Sequence, residues 1–470
     1  MKHILSLLAI LFSFSLLAQE VDLPNDFLSK DFHKDRREKL RASLPSNSVA
    51  VFFANPVRNR ARDVDYIYHQ DPDFYYLTGY KEPDALLLIF KDKQIAANGT
   101  AYNEILFVQP RNAMREMWTG RRLGEQGTKD VLGFEQAFNN TEFKRYNVDF
   151  TKFDKVLFFD FFNDVRNDPR DSSDLYDMIV QFKTKVRYPE KSGTSLAVEP
   201  AKNNLDMKGL NDLMANLRGI KTKDEIELVR KAVSISCMGQ VEVMKAIKPG
   251  MSEREIQGIH EFVYKKYQAE DLGYPSIVGA GHNGCILHYI DNYKPSVSSK
   301  ELILMDLGAE FHGYTADITR TIPVNGKFSP EQKAIYELVL QAQEAAMKIT
   351  KPGTPLRLNT DTCRAIINRG LVQLGIIKPG EKHLYFPHGV SHHIGLDVHD
   401  RGGPIMEEGN TITIEPGIYI PENAACDKKW WGIGVRIEDD ILVTENAPII
   451  MTAALPRTIP ELERLMAEDF

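Results

Sequence analysis

The hydrophobic pattern changes character near the middle of the chain. From about Phe27 to Glu199, short apolar runs bounded by turn residues alternate with helix-period stretches. "VAVFF" (49–53), "ALLLIF" (85–90), "ILFV" (105–108) and "KVLFFDFF" (155–162) read as strands, and "SSDLYDMIVQFKTKV" (172–186) as an amphipathic helix. This order predicts an α/β domain over residues 19–215. The stretch 202–221 reads as a connecting segment with a short helix.

The second half, 216–470, repeats itself. Residues 222–247 have a long helical pattern, with Thr222 and Glu225 spaced as a capping box, and Lys248-Pro249-Gly250 stops it. Ser252 and Glu255 open the next helix in the same way. Ser329-Pro330-Glu331-Gln332 opens another long helix, Lys351-Pro352-Gly353 ends it, and a further helix follows from about Leu358. Each helix pair precedes a strand pair, about 302–322 in one unit and 411–444 in the other. Two such units predict an α+β domain with internal pseudo-two-fold symmetry, an antiparallel sheet covered by helices.

Composition narrows the setting. A chain of 470 residues, 43% hydrophobic, can bury two cores. A formal charge of −7 with no long basic run argues against a nucleic-acid partner. Cys237, Cys285, Cys363 and Cys426 lie far apart, which excludes a zinc knuckle and leaves disulfides open. Residues 1–18 have the charged, apolar and small-residue order of a secretory signal peptide. The apolar run from Ile4 to Leu17 is shorter than the roughly 20 residues that span a bilayer, so export to a periplasmic or extracellular space, with no stable membrane anchor, is expected.

The chemistry is carried by acids placed inside strands. Asp306 follows an apolar run and Asp317 lies eleven residues on, where a hairpin would return it to the same place. In the second unit, "TITIEPGIYI" holds Glu415 and "GVRIEDDILVT" holds Glu438. Four buried carboxylates are strongly unfavourable unless neutralised. Arg320 and Arg436 flank two of them, but two arginines cannot balance four acids. Two divalent cations can, and an oxygen-rich set with one or two imidazoles suits Mn2+, Co2+ or Fe2+. The imidazole would come from "HGVSHHIGLDVHD" (388–400), which holds His388, His392, His393 and His399.

Taken in order, "DVDYIYHQDPDFYYLTGYKEPDALLLI", "EMWTGRRLG", "GYPSIVGAGHNGCILHY", "MDLGAEFHGYTADITRTIPVNGKF", "HGVSHHIGLDVHD", "TIEPGIYI" and "GIGVRIEDDILVT" resemble aminopeptidase P, the Xaa-Pro aminopeptidases of the pita-bread metallopeptidases. The resemblance covers nearly everything after the leader. It implies an α/β amino-terminal domain followed by a pita-bread catalytic domain. It also implies metal ligands at Asp306, Asp317, His392, Glu415 and Glu438 for two divalent ions, Mn2+ first, with Co2+, Fe2+ or Zn2+ as substitutes. By the same resemblance His288 and His399 orient the substrate and stabilise charge on its carbonyl oxygen. His388, Tyr274, Val398, Tyr419 and Arg436 line a proline pocket. Trp118 reaches the active site of a neighbour in a homo-oligomer, a dimer or tetramer. His393, next to the ligand, is read as a packing residue. Arg401 stands where the family often has a smaller apolar residue.

The implied reaction releases the first residue of peptides with proline second. Two cations sharing carboxylates lower the pKa of a bridging water, whose hydroxide attacks the carbonyl carbon. One metal and an imidazole stabilise the oxyanion, and Glu415 moves a proton to the leaving proline nitrogen. The competing readings are an Xaa-Pro dipeptidase on the same fold, a methionine aminopeptidase, and an inactive pita-bread binding protein. The last should have lost ligands, and this chain has all five.

Overall fold

The computed structural model describes residues 26–96, 98–189 and 204–468. The leader read in residues 1–18 lies outside the described residues.

The amino-terminal sheet has six strands in the order Ala137–Asn139, Ala101–Val108, Leu86–Ile95, Ser48–Phe53, Lys155–Phe158 and Leu205–Asp206. Ser48–Phe53 runs antiparallel to Leu86–Ile95 and parallel to Lys155–Phe158. Both faces of these central strands are covered, which is why they read as unbroken apolar runs. One face carries Phe90, Phe107 and Phe158 against Phe182 of helix Leu175–Lys185. The other face, with Ala50, Phe52, Leu87 and Ile89, continues into the core of the second half. The two expected cores are therefore joined along one side of this sheet. The strand read over 155–162 stops at Phe158. Beyond it, Phe161 turns back to pack edge-on against Phe182, so its apolar character serves the aromatic cluster and not the ladder.

The repeat in the second half is present as read. Helix Lys223–Ala246 starts at a Thr222–Glu225 capping box and Glu253–Lys266 at a Ser252–Glu255 box. Helix Pro330–Ile349 starts at a Ser329–Gln332 box, and Arg357–Gln373 follows it. Strands Ile277–Ala280, Leu302–Asp306 and Thr319–Pro323 form one antiparallel sheet; Thr411–Ile414, Asp439–Leu442 and Ile449–Ile450 form its counterpart. The expected strand pair over 302–322 is interrupted. Asp306 lies opposite Thr319, and between them a smaller hairpin turns at His312 and Gly313, both with positive φ. Positive φ at both central residues is what a tight two-residue hairpin turn needs. At the point of divergence sits Gly308, where a Cβ would collide with the Ala316 carbonyl.

Helix Gly209–Gly219 crosses the expected junction at residue 215 and joins the halves through a buried ion cluster. Arg218 pairs with Asp73 of the amino-terminal domain at 2.6 Å and with Asp400 of the histidine-rich segment, while Lys221 meets Asp400 at 2.8 Å. Arg401 extends the same contact. Its Nε lies 2.9 Å from Asp73, and its guanidinium stacks over Phe159. All four cysteines are unpaired.

Candidate metal centre

The four acids leave their strands at one place. Asp306 ends Leu302–Asp306, and Glu415 directly follows Thr411–Ile414. Asp317 precedes Thr319–Pro323, and Glu438 stands in the gap between Ile433–Arg436 and Asp439–Leu442. His392 reaches them from a loop tied to the second sheet: Thr413 N–H donates to the His392 carbonyl at 2.9 Å, and His392 N–H donates to the Thr413 hydroxyl at 3.2 Å. Asp317, His392 and Glu438 offer ligand atoms all within 4.8 Å of one another. His392 Nε2 lies 3.4 Å from Asp317 Oδ2 and 3.7 Å from Glu415 Oε1.

The tautomer of His392 follows from its neighbours. Its Nδ1 donates to the His393 carbonyl at 3.0 Å, so Nε2 points at the acids with its lone pair available in the neutral ring. His393 is buried and turned away, bonded through Nε2 to the Gly403 carbonyl at 2.9 Å. The neighbouring histidines thus have separate tasks, set by which carbonyl each ring nitrogen meets.

Charge at the site is unbalanced by protein groups alone. Arg436 Nη2 pairs with Asp306 at 2.6 Å, and the Tyr274 hydroxyl donates to the same carboxylate at 2.6 Å. Burial works against ionisation of Asp306, but these two partners hold it below its usual range. Arg320 goes elsewhere, to Asp439 at 2.7 Å. Among the described residues no lysine or arginine is within ion-pair distance of Asp317, Glu415 or Glu438. Burial and Asp306 raise Asp317; burial, Asp317 and Glu415 raise Glu438 well above the carboxylate range. Burial pushes Glu415 up to about 8, against the pull of His392 and Arg436. Burial disfavours a charge on His392, yet Asp317 and Glu415 raise it to about 9. Such a set is short of positive charge at its centre, and hard-oxygen donors with one imidazole fit divalent cations. Asp440 adds a buried oxygen, Oδ1, with no partner, while its Oδ2 accepts from the Asp317 N–H at 3.1 Å.

The remaining candidates surround this cluster. His388 Nδ1 donates to the Gly389 carbonyl at 2.6 Å, so its Nε2 accepts from the Tyr419 hydroxyl at 2.8 Å; Arg436 Nη1 donates to that hydroxyl at 2.9 Å. Burial lowers His388 to about 4, which keeps this arrangement neutral at the ring. Tyr419 and Arg436 are each only 3% exposed, so they act mainly through His388 and Asp306. His399 is exposed, its ring 4.5 Å from that of His392, and His288 is exposed on the loop after Gly281–Cys285. Val398 is half-buried beside His399. Trp118 is 84% exposed on helix Ala113–Thr119 in the amino-terminal domain. Two supports were not read from the sequence: Thr319, whose hydroxyl donates to Glu438 Oε2 at 2.7 Å, and Asp440. Alternation along "EDD" places Asp440 on the same face as Glu438, so that signal was present.

In the metal-free fold Glu415 and His392 keep their protons to pH about 8 and about 9, above their ordinary values of 4.5 and 6.5. The folded chain therefore binds more protons than the unfolded one, and metal-free stability declines as pH rises through those windows. A divalent ion must displace these protons. Its apparent affinity should rise from about pH 6 to about pH 9 with proton release, measured by isothermal titration in buffers of differing ionisation enthalpy. His392→Ala should bind one ion fewer. His393→Phe should keep the full complement and lose about 1–3 kcal/mol of stability by stranding the Gly403 carbonyl. Equal metal loss in both variants, or pH-independent binding, would contradict the assignment.

Comparison with known proteins agrees with this geometry. Residues 227–445 match metallopeptidase family M24, and residues 33–157 match the aminopeptidase P N-terminal domain. A Xaa-Pro aminopeptidase of Haemophilus influenzae is 36% identical over 455 residues, covering 93% of this chain and 98% of the relative. One of Escherichia coli is 34% identical, covering 93% and 98%. The structure of Escherichia coli aminopeptidase P with the inhibitor Pro-Leu superposes with a TM-score of 0.80 at 33% identity, covering 94% of this chain and 98% of that one. With its amino-terminal domain, its two-fold catalytic half and its carboxylate cluster in place, the chain belongs to metallopeptidase family M24, in the aminopeptidase P group.

Proposed function

We propose that this chain is a metal-dependent exopeptidase that releases the amino-terminal residue from peptides with proline at the second position. The observation that carries the reading is the cluster of Asp317, His392 and Glu438, with Glu415 beside His392, in a chain whose relatives, along almost their whole length, are Xaa-Pro aminopeptidases. Asp306, Asp317, His392, Glu415 and Glu438 would hold two divalent ions, with Mn2+ the first candidate on the oxygen-rich donor set. Bound there, the ions supply a nucleophile at neutral pH and polarise the scissile carbonyl.

The chain's own residues do the rest. Glu415 lies at the less buried edge of the cluster, where it accepts a proton from the attacking water and returns it to the leaving proline nitrogen. His288 and His399 stand exposed at the mouth, free to donate to the carbonyl oxygen as charge develops. His388, held by Tyr419 and Arg436, forms with Tyr274 and Val398 the wall that meets the proline ring. An Xaa-Pro bond has no N–H to grip, so recognition falls to shape.

With matched peptides, released alanine should come from Ala-Pro-Ala and longer Ala-Pro peptides, and not from Ala-Ala-Ala or acetylated Ala-Pro-Ala. The unprotected amine gains charge-assisted hydrogen bonds beside the acids that the acetylated one cannot form. Faster cleavage of Ala-Pro than of Ala-Pro-Ala would make the chain a dipeptidase, and full activity after chelation would remove the metal.

The chain also assembles as a homo-oligomer, a dimer or tetramer, in which Trp118 approaches a neighbour's substrate. Met114, Met117 and Trp118 are all bare on one seven-residue helix, which supports an interface there. Sedimentation velocity should show an oligomer, and Trp118→Ala should raise KM for the peptide. A fully active monomer would refute this. Export through the leader ending at Ala18 completes the proposal; among the described residues no helix is long and apolar enough to cross a membrane. Amino-terminal sequencing of the mature protein should begin at Gln19, and a chain still starting at Met1 would count against export.

A further inference from the structure

Two buried glutamines occupy equivalent places in the two halves. Gln240 lies on helix Lys223–Ala246 and Gln343 on helix Pro330–Ile349, and each stands six residues before the last residue of its helix. The local sequences match beyond the shared turn. Residues 240–250 and 343–353 both read Gln-x-x-x-Met-Lys-x-x-Lys-Pro-Gly. Neither glutamine has measurable exposure.

Each side-chain amide bridges two backbone carbonyls. Gln240 Nε2 donates to Met305 O at 3.3 Å and to Ile318 O at 3.1 Å. Gln343 Nε2 donates to Ile414 O and Ile437 O, both at 3.1 Å, and also reaches Asp439 Oδ2 at 3.0 Å. A primary amide carries two N–H groups, so Gln240 has one for each carbonyl, while Gln343 shares its two among three acceptors. Every one of these four carbonyls belongs to a residue adjacent in sequence to a carboxylate of the cluster: Met305 to Asp306, Ile318 to Asp317, Ile414 to Glu415 and Ile437 to Glu438.

We infer that Gln240 and Gln343 are a matched pair of positioning residues, each clamping two ligand-bearing strands at a fixed separation, Gln240 for Asp306 and Asp317, Gln343 for Glu415 and Glu438. The inference rests on the metal-centre reading above. Its physical basis is where the ladders thin. The acids lie at strand ends and in the breaks between strands, where isolated backbone bonds such as Leu307 N–H to Ile318 O at 3.1 Å and Ile437 N–H to Pro416 O at 3.3 Å continue the ladders, and the buried acids repel one another. A buried amide anchored in a long helix adds a second tie across each pair of strands where the ladder thins.

The symmetry is instructive where it breaks. Matching Ile318 with Ile437 places Asp317 against Arg436, and Thr319 against Glu438. Residues two apart on a strand share a face. The second carbonyl of each clamp, Ile318 or Ile437, is therefore flanked by one ligand and one supporting side chain: Thr319, which bonds Glu438, and Arg436, which bonds Asp306. Gln343 is further held by Arg457, whose Nη1 donates to its Oε1 at 3.2 Å. The Gln240 Oε1 has no partner among the described residues, so Gln240 is the simpler one to change.

The test replaces each glutamine by methionine, which keeps length and removes both donors, and titrates the metal-free proteins with Mn2+ alone. Each variant's melting temperature is taken with and without Mn2+, so that any loss of packing is subtracted within the same variant. Mn2+ affinity should fall about 10- to 100-fold in Gln240→Met and in Gln343→Met, and the Mn2+-induced rise in melting temperature should shrink. Should either methionine variant fail to fold, Gln240→Asn and Gln343→Asn, which keep an amide that no longer reaches both carbonyls, are read in the same way. A lower metal-free melting temperature with Mn2+ affinity unchanged would make the glutamines structural only and overturn the inference. Failure of the unaltered chain to bind Mn2+ would instead overturn the metal-centre reading.

Discussion

Mutual repulsion among buried carboxylates is the constraint around which the second half of the molecule is arranged. Asp306, Asp317, Glu415 and Glu438 point into one space with a single arginine, Arg436, paired to one of them. Left alone, the cluster would hold protons or spread apart. The structure instead surrounds it with fixed donors: Tyr274 and Arg436 on Asp306, Thr319 on Glu438, and the Asp317 N–H tied to Asp440. These contacts keep the acids in register while leaving the cluster's centre short of positive charge. That unmet charge is the functional property of the site.

The pseudo-two-fold fold supplies this crowding economically. Two helix pairs, three of their four helices opened by capping boxes, cover two short antiparallel sheets, and each sheet contributes two acids where its ladder ends. His392 brings the imidazole of the cluster. It arrives on a loop tied to the second sheet through Thr413, and the amino-terminal domain also helps to hold that loop. Asp73 and Arg218 hold Asp400, whose N–H in turn donates to the His393 carbonyl at 2.8 Å. The same loop carries His399. The amino-terminal domain is thus linked to the placement of two histidines by a chain of buried hydrogen bonds. Arg401 faces that domain and reinforces the link.

The histidine-rich segment illustrates how little ring identity says about role. His388, His392, His393 and His399 lie within thirteen residues, yet His392 alone turns a lone pair towards the acids. His388 is bonded to Gly389 and Tyr419, and His393 to Gly403. For these three the role is set by the backbone carbonyl that takes one N–H.

Local patterns determined much of this protein from its sequence. Capping boxes at Thr222, Ser252 and Ser329, apolar runs bounded by turn residues and the order of elements are short-range properties, so the α/β domain, the repeated helix pairs and the four acids in strand context were legible; the sequence read those acids inside strands, whereas Asp317, Glu415 and Glu438 stand just outside them. The resemblance added the ligand set residue by residue. Only the tertiary structure decided matters that depend on distances between elements. It sent Arg320 to Asp439, ended a strand at Phe158 despite further phenylalanines, and merged the expected cores along one face of a sheet. It also buried Gln240 and Gln343 against carbonyls more than sixty residues away. Period and propensity act over a few residues, whereas partner choice for a buried polar group is settled by whichever donor or acceptor the packing brings within reach.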